Sequence, residues 1–215
     1  TLNFAKDVGY GINLCSTIKN KEDTIKTIGS KYIIDSSGYG RVLPRLLNLE
    51  KPSEFLNQSS IFAHLKDIKR PEGGEGTQIT FDVIDLRTWF WVIPFSNGIT
   101  SIGFVGLNEY VDSFEGDTSE RLRNMLKDSD YYNKRFKDAP FLFEPKSIKN
   151  FSKAVKKFYG KGFVLTGNSA EFLDPVFSSG VTFATESALK ASKLIAKQLQ
   201  GEAVDWEEDY ANYIK

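Results

Sequence analysis

The spacing of apolar and polar residues divides the chain into three parts of different character. In the first part, short apolar runs bounded by polar residues predict strands at 12–18, 24–29 and 31–35. Helical spacing follows over residues 41–50, where Pro44 restricts the start. Residues 2–8 are typical of the end of a helix, which Gly9 and Gly11 would terminate. The first part is therefore expected to mix helix and strand.

Strand patterns dominate the middle of the chain. Runs rich in β-branched and aromatic residues predict strands at 76–85, 88–95 and 99–106. Asn97-Gly98, between the last two runs, tolerates positive φ and suits a tight hairpin turn. Pro94 cannot donate to a strand ladder, so it is expected at a strand end or edge. The three runs together predict an antiparallel meander.

The last part returns to helical patterns. Asp117 and Glu120 have the spacing of a capping box, which predicts a helix after them, and the aromatic-rich segment that follows is expected to be irregular or helical. A short buried strand is predicted at 162–167 and a long helix at 178–200, which Gly201 would end. The apolar face of this helix is predicted to contain Val181, Ala184, Ala188, Leu194 and Ile195. The order α/β, antiparallel β and α/β indicates one domain inserted into another.

Composition limits the partners that are expected. The chain has 215 residues, and its 28 basic side chains balance its 28 acidic ones. Zero net charge argues against a nucleic-acid or anionic-membrane partner, and the lysines of residues 153–161 are interpreted as solvated surface. No run of 18 apolar residues and no signal peptide is visible, so a cytoplasmic location without a membrane partner is expected. The chain opens on Thr1 instead of Met, which indicates an excerpt of a longer protein.

Two residue types occur once each. Cys15 and His64 are the single cysteine and histidine, which excludes a disulfide framework and a Cys/His zinc site within the chain. A Ser-His-Asp triad would need His64, and the sequence contains no G-x-S-x-G elbow. We therefore expect neither a metal site nor this kind of hydrolase.

The segment "GFVLTGNSAEFLDPVFSSGVTFA" (162–184) carries the most informative candidate chemistry. Gly180 at a helix start costs stability, so its presence suggests that something approaches the backbone closely. The N–H groups of a helix N-terminus attract anions and electron-rich heterocycles. The alternative is an ordinary strand–loop–helix connection with an incidental glycine.

Two further segments are informative. In "YIIDSSGYGR" (32–41) an acidic residue ends a buried strand and glycines follow, which suits a carboxylate beside a ligand, although many α/β strands end in Asp. In "TWFWVIPFSNG" (88–98) an aromatic strand places Trp89, Trp91 and Ile93 on one side. These rings are either plain core or a wall against a ligand.

Taken together and in this order, the three segments resemble the flavin-dependent halogenases, within the larger group of flavoproteins folded like p-hydroxybenzoate hydroxylase. "WFWVIP" matches the W-x-W-x-I-P motif of that family in full. "DSSG" resembles the second flavin motif of the superfamily, D-[AG]-[SDA]-G. "LTGNSAEFLDPVFSSGV" resembles the third, a G-D-A-A followed by a D-P-x-x-S-x-G stretch. The resemblance extends from about residue 10 to 200.

The resemblance implies a fold and a reaction. The fold would be α/β with antiparallel β: parts of a three-layer FAD-binding domain (1–50 and 151–215) interrupted by an antiparallel-sheet substrate domain (51–150). The whole protein would be an FAD-dependent oxidoreductase that receives reduced FAD from a flavin reductase. It would use oxygen and a halide ion to form hypohalous acid, which a lysine relays to an electron-rich aromatic substrate. The substrate would be phenolic or pyrrolic, and in some relatives it is tethered to a carrier protein.

The resemblance also implies site residues. Those expected to bind the cofactor are Asp35, Gly38, Gly167, Asn168, Asp174, Pro175 and Gly180. Those expected to act in catalysis are Trp89, Trp91, Ser179 and Gly180. Ser179 and Gly180 would offer backbone N–H groups to the halide, Asp174 and Pro175 would shape the pocket beside the flavin ring, and the two tryptophans would separate flavin from substrate.

Three departures from the family pattern matter. Asn168 stands where the family usually has Asp, so the expected bond to the ribityl chain has less charge assistance. The family's G-x-G-x-x-G for the ADP half of FAD, and the catalytic lysine after it, are missing, because "GYGINL" has the wrong spacing and precedes a strand. Phe177 stands where tryptophan halogenases carry glutamate, which disfavours free tryptophan as the substrate.

Two alternatives stay open at this point. An aromatic monooxygenase or a geranylgeranyl-reductase-like enzyme of the same superfamily would need no halide. A non-catalytic flavin-binding or interaction domain would account for the missing dinucleotide motif.

Overall fold

The computed structural model describes residues 2–4, 14–19, 25–53 and 57–214, with the side chains described from residue 28 onward. The chain forms two compact units. The first consists of Thr1–Glu54 and Lys153–Lys215, and the second is Phe55–Ser152.

The strands, in chain order, are β1 (Leu2–Phe4), β2 (Leu14–Lys19), β3 (Ile25–Ser30), β4 (Ile33–Asp35), β5 (Glu50–Lys51), β6 (Gln58–Lys66), β7 (Thr80–Asp85), β8 (Thr88–Pro94), β9 (Ile99–Leu107), β10 (Lys146–Lys149), β11 (Ala154–Val155), β12 (Tyr159–Gly160) and β13 (Phe163–Leu165). The α-helices are α1 (Val42–Leu46), α2 (Asn108–Asp112), α3 (Thr118–Met125), α4 (Asp130–Phe136), α5 (Gly180–Leu199) and α6 (Asn212–Ile214). Single 3₁₀ turns occupy Gly38–Gly40, Leu126–Asp128, Gly167–Ser169 and Pro175–Phe177, and a π-helical turn, Glu207–Ala211, leads into α6.

The first unit contains a three-stranded sheet of order β12-β13-β4, in which β13 and β4 run parallel. β13 is apolar throughout and buried along its whole length. It packs in one core with residues of α5 and of the C-terminal helical segment, among them Leu194, Ile195 and Tyr210. A separate antiparallel sheet has the order β1-β2-β3, and β5 pairs with β11.

The second unit is built on a five-stranded antiparallel sheet of order β10-β6-β9-β8-β7. One face of this sheet buries Ile61, Phe90 and Phe104 in a core with side chains of α2, α3 and α4. Because side chains alternate between faces along a strand, the neighbouring residues of β6, β8 and β9 lie on the opposite face. We call that opposite face the second face of the sheet.

Most of the predicted elements are confirmed. β7, β8 and β9 form the antiparallel meander, Pro94 is the last residue of β8, and Gly98 has φ of 82° in the hairpin turn. Asp117 accepts from the backbone N–H of Glu120 and Glu120 caps Asp117 in return, which is the predicted capping box at α3. The mixture of helix with antiparallel sheet in the fold-class prediction is also confirmed.

The predicted helix at residues 2–8 is wrong where the structure describes it. Residues 2–4 form β1, in which Leu2 lies opposite Ser16 of β2. A helix of so few residues has little stability of its own, so pairing with a neighbouring strand decides the conformation. Gly9 and Gly11 lie outside the described residues.

The predicted apolar face of α5 is wrong at its first position. Val181 is 77% exposed, whereas the buried residues of α5 are Ser187, Ala191, Leu194 and Ile195. Ser187 is polar, yet it is buried because its hydroxyl accepts a hydrogen bond from the Gly167 N–H. Gly201 ends the helix with φ of 88°, as predicted.

Candidate functional site

The carboxyl ends of two parallel strands bring two of the predicted segments together in the first unit. Asp35 and Leu165 are directly opposite in the pairing of β4 with β13. The loops that follow, 36–41 and 166–169, therefore leave the same edge of the sheet. Ligands of α/β proteins bind at such edges, outside the carboxyl ends of parallel strands.

Asp35 is buried and shapes the first loop. Its two carboxylate oxygens accept backbone N–H bonds from Ser37 at 2.8 Å and from Leu43 at 2.6 Å. Its main-chain oxygen accepts from the second loop, from the Thr166 N–H at 2.9 Å and from the Ser169 hydroxyl at 2.6 Å. The carboxylate thus fixes the turn around Gly38 and the start of α1, and the backbone of Asp35 ties the two loops together.

The two loops also meet through side chains. The hydroxyls of Ser36 and Thr166 lie 2.8 Å apart. Burial raises the pKa of Tyr39, and a side-chain hydrogen bond with the half-buried Asn168 offsets part of that rise. Gly38 has φ of 56°, and beyond its chain neighbours a Cβ there would meet no atom within 4 Å in the part of the chain that the structure describes. Asn168 and Gly38 therefore lie on connected loops, with open space beside the glycine.

Gly167 holds the second loop against α5. Its φ is 54°, and a Cβ built on it would lie 3.0 Å from the Cβ of Ala184. Its N–H donates to the Ser187 hydroxyl at 3.0 Å. Only glycine satisfies both the left-handed backbone and the close approach to the helix. Gly167 consequently fixes where α5 lies relative to the carboxyl edge of the sheet.

A 3₁₀ turn connects this region to α5. The Asp174 carboxylate accepts from the Val176 N–H at 3.1 Å, and Pro175 occupies the first position of the turn, where its missing N–H costs nothing. Ser178 follows with φ of 53°. Asp174 and Pro175 thus set the path by which the chain enters the helix.

The start of α5 is open. Ser179 makes no side-chain cap, and none of the described residues accepts a hydrogen bond from the N–H of Ser179 or Gly180. Outside its own turn, a Cβ on Gly180 would meet no atom of the described residues within 4 Å. Since unpaired N–H groups at a helix N-terminus carry partial positive charge, this position suits an anion or a polarisable oxygen. The fold itself does not require glycine at 180.

Sequence reasoning missed Arg41. This residue has a left-handed backbone, with φ of 45° and ψ of 48°, and its side chain is buried. The guanidinium donates to Glu50 at 2.8 Å, to the main-chain oxygen of Asn168 at 3.1 Å and to that of Ala154 at 3.2 Å. Arg41 therefore joins both loops to the β5–β11 pair. The only sequence signal was a basic residue within the glycine-rich run "GYGR".

Trp91 and Trp89 lie on the second face of the sheet in the second unit, with ring centroids 5.8 Å apart. The Trp91 ring covers Gly103, where an added Cβ would come within 2.4 Å of it. Its indole N–H donates to the Ser101 hydroxyl at 3.2 Å. Trp89 is more buried, and its indole N–H has no hydrogen-bond partner among the described residues. The strand thus presents Phe90 and Val92 to the helix-covered core and its tryptophans to the other side.

The described residues offer neither a metal site nor a membrane span. Among residues 28–53 and 57–214, no group of three His, Cys, Asp or Glu could hold a metal ion. In the part of the chain that the structure describes, no helix is both long and apolar enough to span a bilayer.

Comparison with known proteins gives the same family as the motifs. The family model described as tryptophan halogenase matches residues 18–212. A 1H-pyrrole-2-carbonyl-[peptidyl-carrier protein] brominase of Pseudoalteromonas luteoviolacea is 28% identical over 91% of this chain and 48% of its own length. The corresponding chlorinase of Pseudomonas fluorescens is 29% identical over 77% of this chain and 38% of its own length.

Among solved structures, a flavoprotein/dehydrogenase from Cytophaga hutchinsonii is similar along almost the whole chain. It is 46% identical with a TM-score of 0.89, over 99% of this chain and 52% of that one. The chain spans about half the length, or less, of the curated relatives that it matches.

Proposed function

The chain belongs to the tryptophan halogenase family, and on that premise we propose that it forms part of a flavin-dependent halogenase. In this proposal the first unit holds the flavin side of FAD, and the second unit contributes to binding an aromatic substrate. The whole protein is an oxidoreductase that uses reduced FAD, oxygen and a halide to halogenate an electron-rich ring.

One observation carries the proposal. The two loops that match flavin motifs leave the carboxyl ends of adjacent parallel strands and are hydrogen-bonded to each other through Asp35, Thr166 and Ser169. Such an edge is where α/β folds bind nucleotides. The open backbone at Gly38 and Gly180, where added Cβ atoms would meet none of the described residues beyond their own turns, fits a flat cofactor that approaches the main chain.

Each residue of the first unit has a distinct part in this proposal. The amide oxygen of the half-buried Asn168 accepts a hydrogen bond from a hydroxyl of the ribityl chain, and Gly38 allows the cofactor to approach the loop. Asp35 and Gly167 act through the backbone, because their contacts are made within the loops and to α5. Asp174 and Pro175 shape the turn beside the flavin ring. When bound, FAD supplies the activation of oxygen.

The open start of α5 suits the halide. The N–H groups of Ser179 and Gly180 have no acceptor among the described residues, and the helix dipole favours negative charge there. These residues bind and orient the anion. The exposed Phe177 and Val181 lie beside this position and give it apolar surroundings.

For the substrate, we propose a phenolic or pyrrolic ring. Two relatives are named for a pyrrole carbonyl group on a peptidyl carrier protein, which supports a carrier-tethered pyrrole. Phe177, 89% exposed, offers no carboxylate that could bind the ammonium or the indole N–H of free tryptophan. Trp89 and Trp91 supply an aromatic surface on the second face of the sheet.

A second candidate keeps the cofactor and changes the reaction. The 46% identical structure carries the description flavoprotein/dehydrogenase, which names no halide. A flavin-dependent monooxygenase or reductase is therefore the alternative, and a non-catalytic flavin-binding domain is a further one.

The test uses the full-length protein. Purified protein should show flavin absorbance or a thermal shift with FAD. With a flavin reductase, NADH and oxygen, phenolic or carrier-tethered pyrrolic substrates should gain bromine or chlorine by mass spectrometry when the halide is present. Hydroxylated or reduced product that forms equally without halide would replace the halogenase proposal by the second candidate, and absence of FAD binding would refute both.

A further inference from the structure

The second face of the sheet in the second unit carries an aromatic cluster around His64. Phe62 and His64 alternate with the core residues of β6 and so lie on this face. In the strand register, Phe62 and Trp91 flank Gly103, and the Phe62 and Trp91 ring centroids are 6.2 Å apart. We define the His64 cluster as His64 with the two phenylalanines whose rings contact it, Phe95 and Phe143; the Phe62–Trp91 pair lies on the same face of the sheet.

Two phenylalanines border the imidazole of His64. The Phe95 ring lies edge-on at 5.2 Å between centroids and 89° between planes. The Phe143 ring lies at 5.1 Å and 61°. These contacts fix the imidazole plane without using its nitrogens, because aromatic edge-to-face packing needs no hydrogen bond.

The nitrogens of His64 are available to a ligand. Across residues 57–152, no group donates to or accepts from either imidazole nitrogen, although the side chain is half-buried. Trp91 differs, because Ser101 already accepts its indole N–H at 3.2 Å. A half-buried polar group without a protein partner loses free energy unless water or a ligand bonds to it.

The cluster therefore combines flat apolar walls with one hydrogen-bonding atom pair. A neutral imidazole has one acceptor nitrogen and one donor. The Lys146 ammonium, 5.6 Å from the centre of the Phe143 ring, disfavours a cationic ligand at this end. The arrangement suits a neutral planar ring that carries its own N–H or O–H group.

We propose that the His64 cluster binds the ring of an aromatic substrate, and that His64 accepts a hydrogen bond from the ring N–H of a pyrrole or the O–H of a phenol. This rests on the proposed function for the identity of the substrate. The bond holds the ring by the group that makes it electron-rich, and it discriminates against rings in which that group is methylated.

The test separates recognition from chemistry. Binding of pyrrole-2-carboxamide and of its N-methyl counterpart to the full-length protein is measured by calorimetry, without reductant or halide. Wild type should bind the N–H probe about tenfold more tightly, as expected for one satisfied hydrogen bond. His64→Phe should keep the aromatic surface and lose this preference, whereas His64→Gln, which retains an acceptor, should restore part of it.

A matched control and a direct readout complete the design. Phe143→Leu removes one wall and leaves the imidazole, so it should weaken both probes by a similar factor. With ¹⁵N-labelled histidine, the signal that His64→Phe removes should shift on addition of the N–H probe and not with the N-methyl probe. Melting curves establish that each variant is folded.

The outcomes are distinct. Equal binding of the two probes by wild type, no binding of either, or an unchanged preference in His64→Phe would each overturn the assignment of His64. FAD binding and halide-dependent product, measured in parallel on wild type, test the proposed function separately. Halogenation without a His64-dependent preference would refute only the present inference, and the preference without halogenation would refute only the proposed function.

Discussion

Replacement of Gly180 by valine separates a ligand-binding role from a structural one. Apart from its chain neighbours and the backbone of its own helical turn, no described residue has an atom within 4 Å of a Cβ at this position. In the first turn of a helix, valine is a slightly better residue than glycine, by a few tenths of a kcal/mol up to about 0.5 kcal/mol. Gly180→Val should therefore leave the melting temperature of the FAD-free protein within about 2 °C of wild type.

Flavin-dependent turnover should nevertheless be lost. The branched side chain would occupy the space beside the Ser179 and Gly180 N–H groups, where we propose that the halide lies. Product formation at saturating reduced FAD should fall by at least tenfold, because removal of a backbone-lined anion site costs more than about 1.4 kcal/mol of transition-state stabilisation.

Gly167→Ala is the matched control. Its left-handed backbone costs a residue with a Cβ about 1–2 kcal/mol. The 3.0 Å approach to the Ala184 Cβ adds an overpacking cost of about 1–3 kcal/mol. Together these lower the melting temperature by roughly 4–20 °C at about 2–4 °C per kcal/mol. Melting curves, FAD titration and halide-dependent product are measured on both variants. A folded Gly180→Val protein with wild-type turnover would refute the ligand-binding role of the helix start.

Three further substitutions test other parts of the molecule. Trp91→Phe removes the indole N–H bonded to Ser101 and should cost about 1–3 kcal/mol of stability. If Trp91 contacts the substrate, as we propose, the variant should also give a smaller share of halogenated product. An unaltered product ratio beside a lowered melting temperature would mean that Trp91 is ordinary core. Arg41→Lys should lower stability by about 1–3 kcal/mol and weaken FAD binding, because one ammonium cannot bridge the three acceptors of the guanidinium. Unchanged melting and FAD titration curves would contradict this prediction. Asp67→Asn should cost about 3–5 kcal/mol at pH 7 by leaving Arg135 buried without its charge partner. Burial alone would raise the pKa of Asp67, but hydrogen bonds and charge from Arg135, with Thr100 and Arg70, lower it below its ordinary value. The stability that Asp67 contributes is therefore present above about pH 4 and lost as the pH falls through the folded pKa. The free energies of unfolding of wild type and variant, measured with denaturant, should therefore converge in acid. A difference between them that stays constant with pH would refute the charge argument.

Local patterns predicted the elements whose information is itself local. The hairpin at Asn97-Gly98 follows from positive φ, and the capping box of Asp117 and Glu120 follows from side chains that bond to their own turn. The alternation of β8 also predicted that Trp89, Trp91 and Ile93 share a side, because the side-chain period of a strand is fixed by its backbone. The motifs around these elements were sufficient to indicate the family.

Contacts between distant residues decided the rest. β1 is a strand because β2 pairs with it, and no pattern within residues 2–4 required that pairing. Ser187 is buried where its hydroxyl accepts a hydrogen bond from the Gly167 N–H, 20 residues earlier in the chain. Propensity and periodicity describe one segment at a time, so they carry no information about such partners.

The candidate site divides in the same way. The sequence by itself indicated which segments are candidates for the chemistry, since "DSSG", "WFWVIP" and the Ser-Ser-Gly step at Gly180 are properties of short stretches. Only the tertiary structure decided what each side chain contacts. The Asp35 carboxylate is occupied by Ser37 and Leu43, and Arg41 ties the main chain of Asn168 in place. A hydrogen bond depends on where two atoms lie in space, and for residues separated by more than a hundred positions only the folded chain fixes that distance.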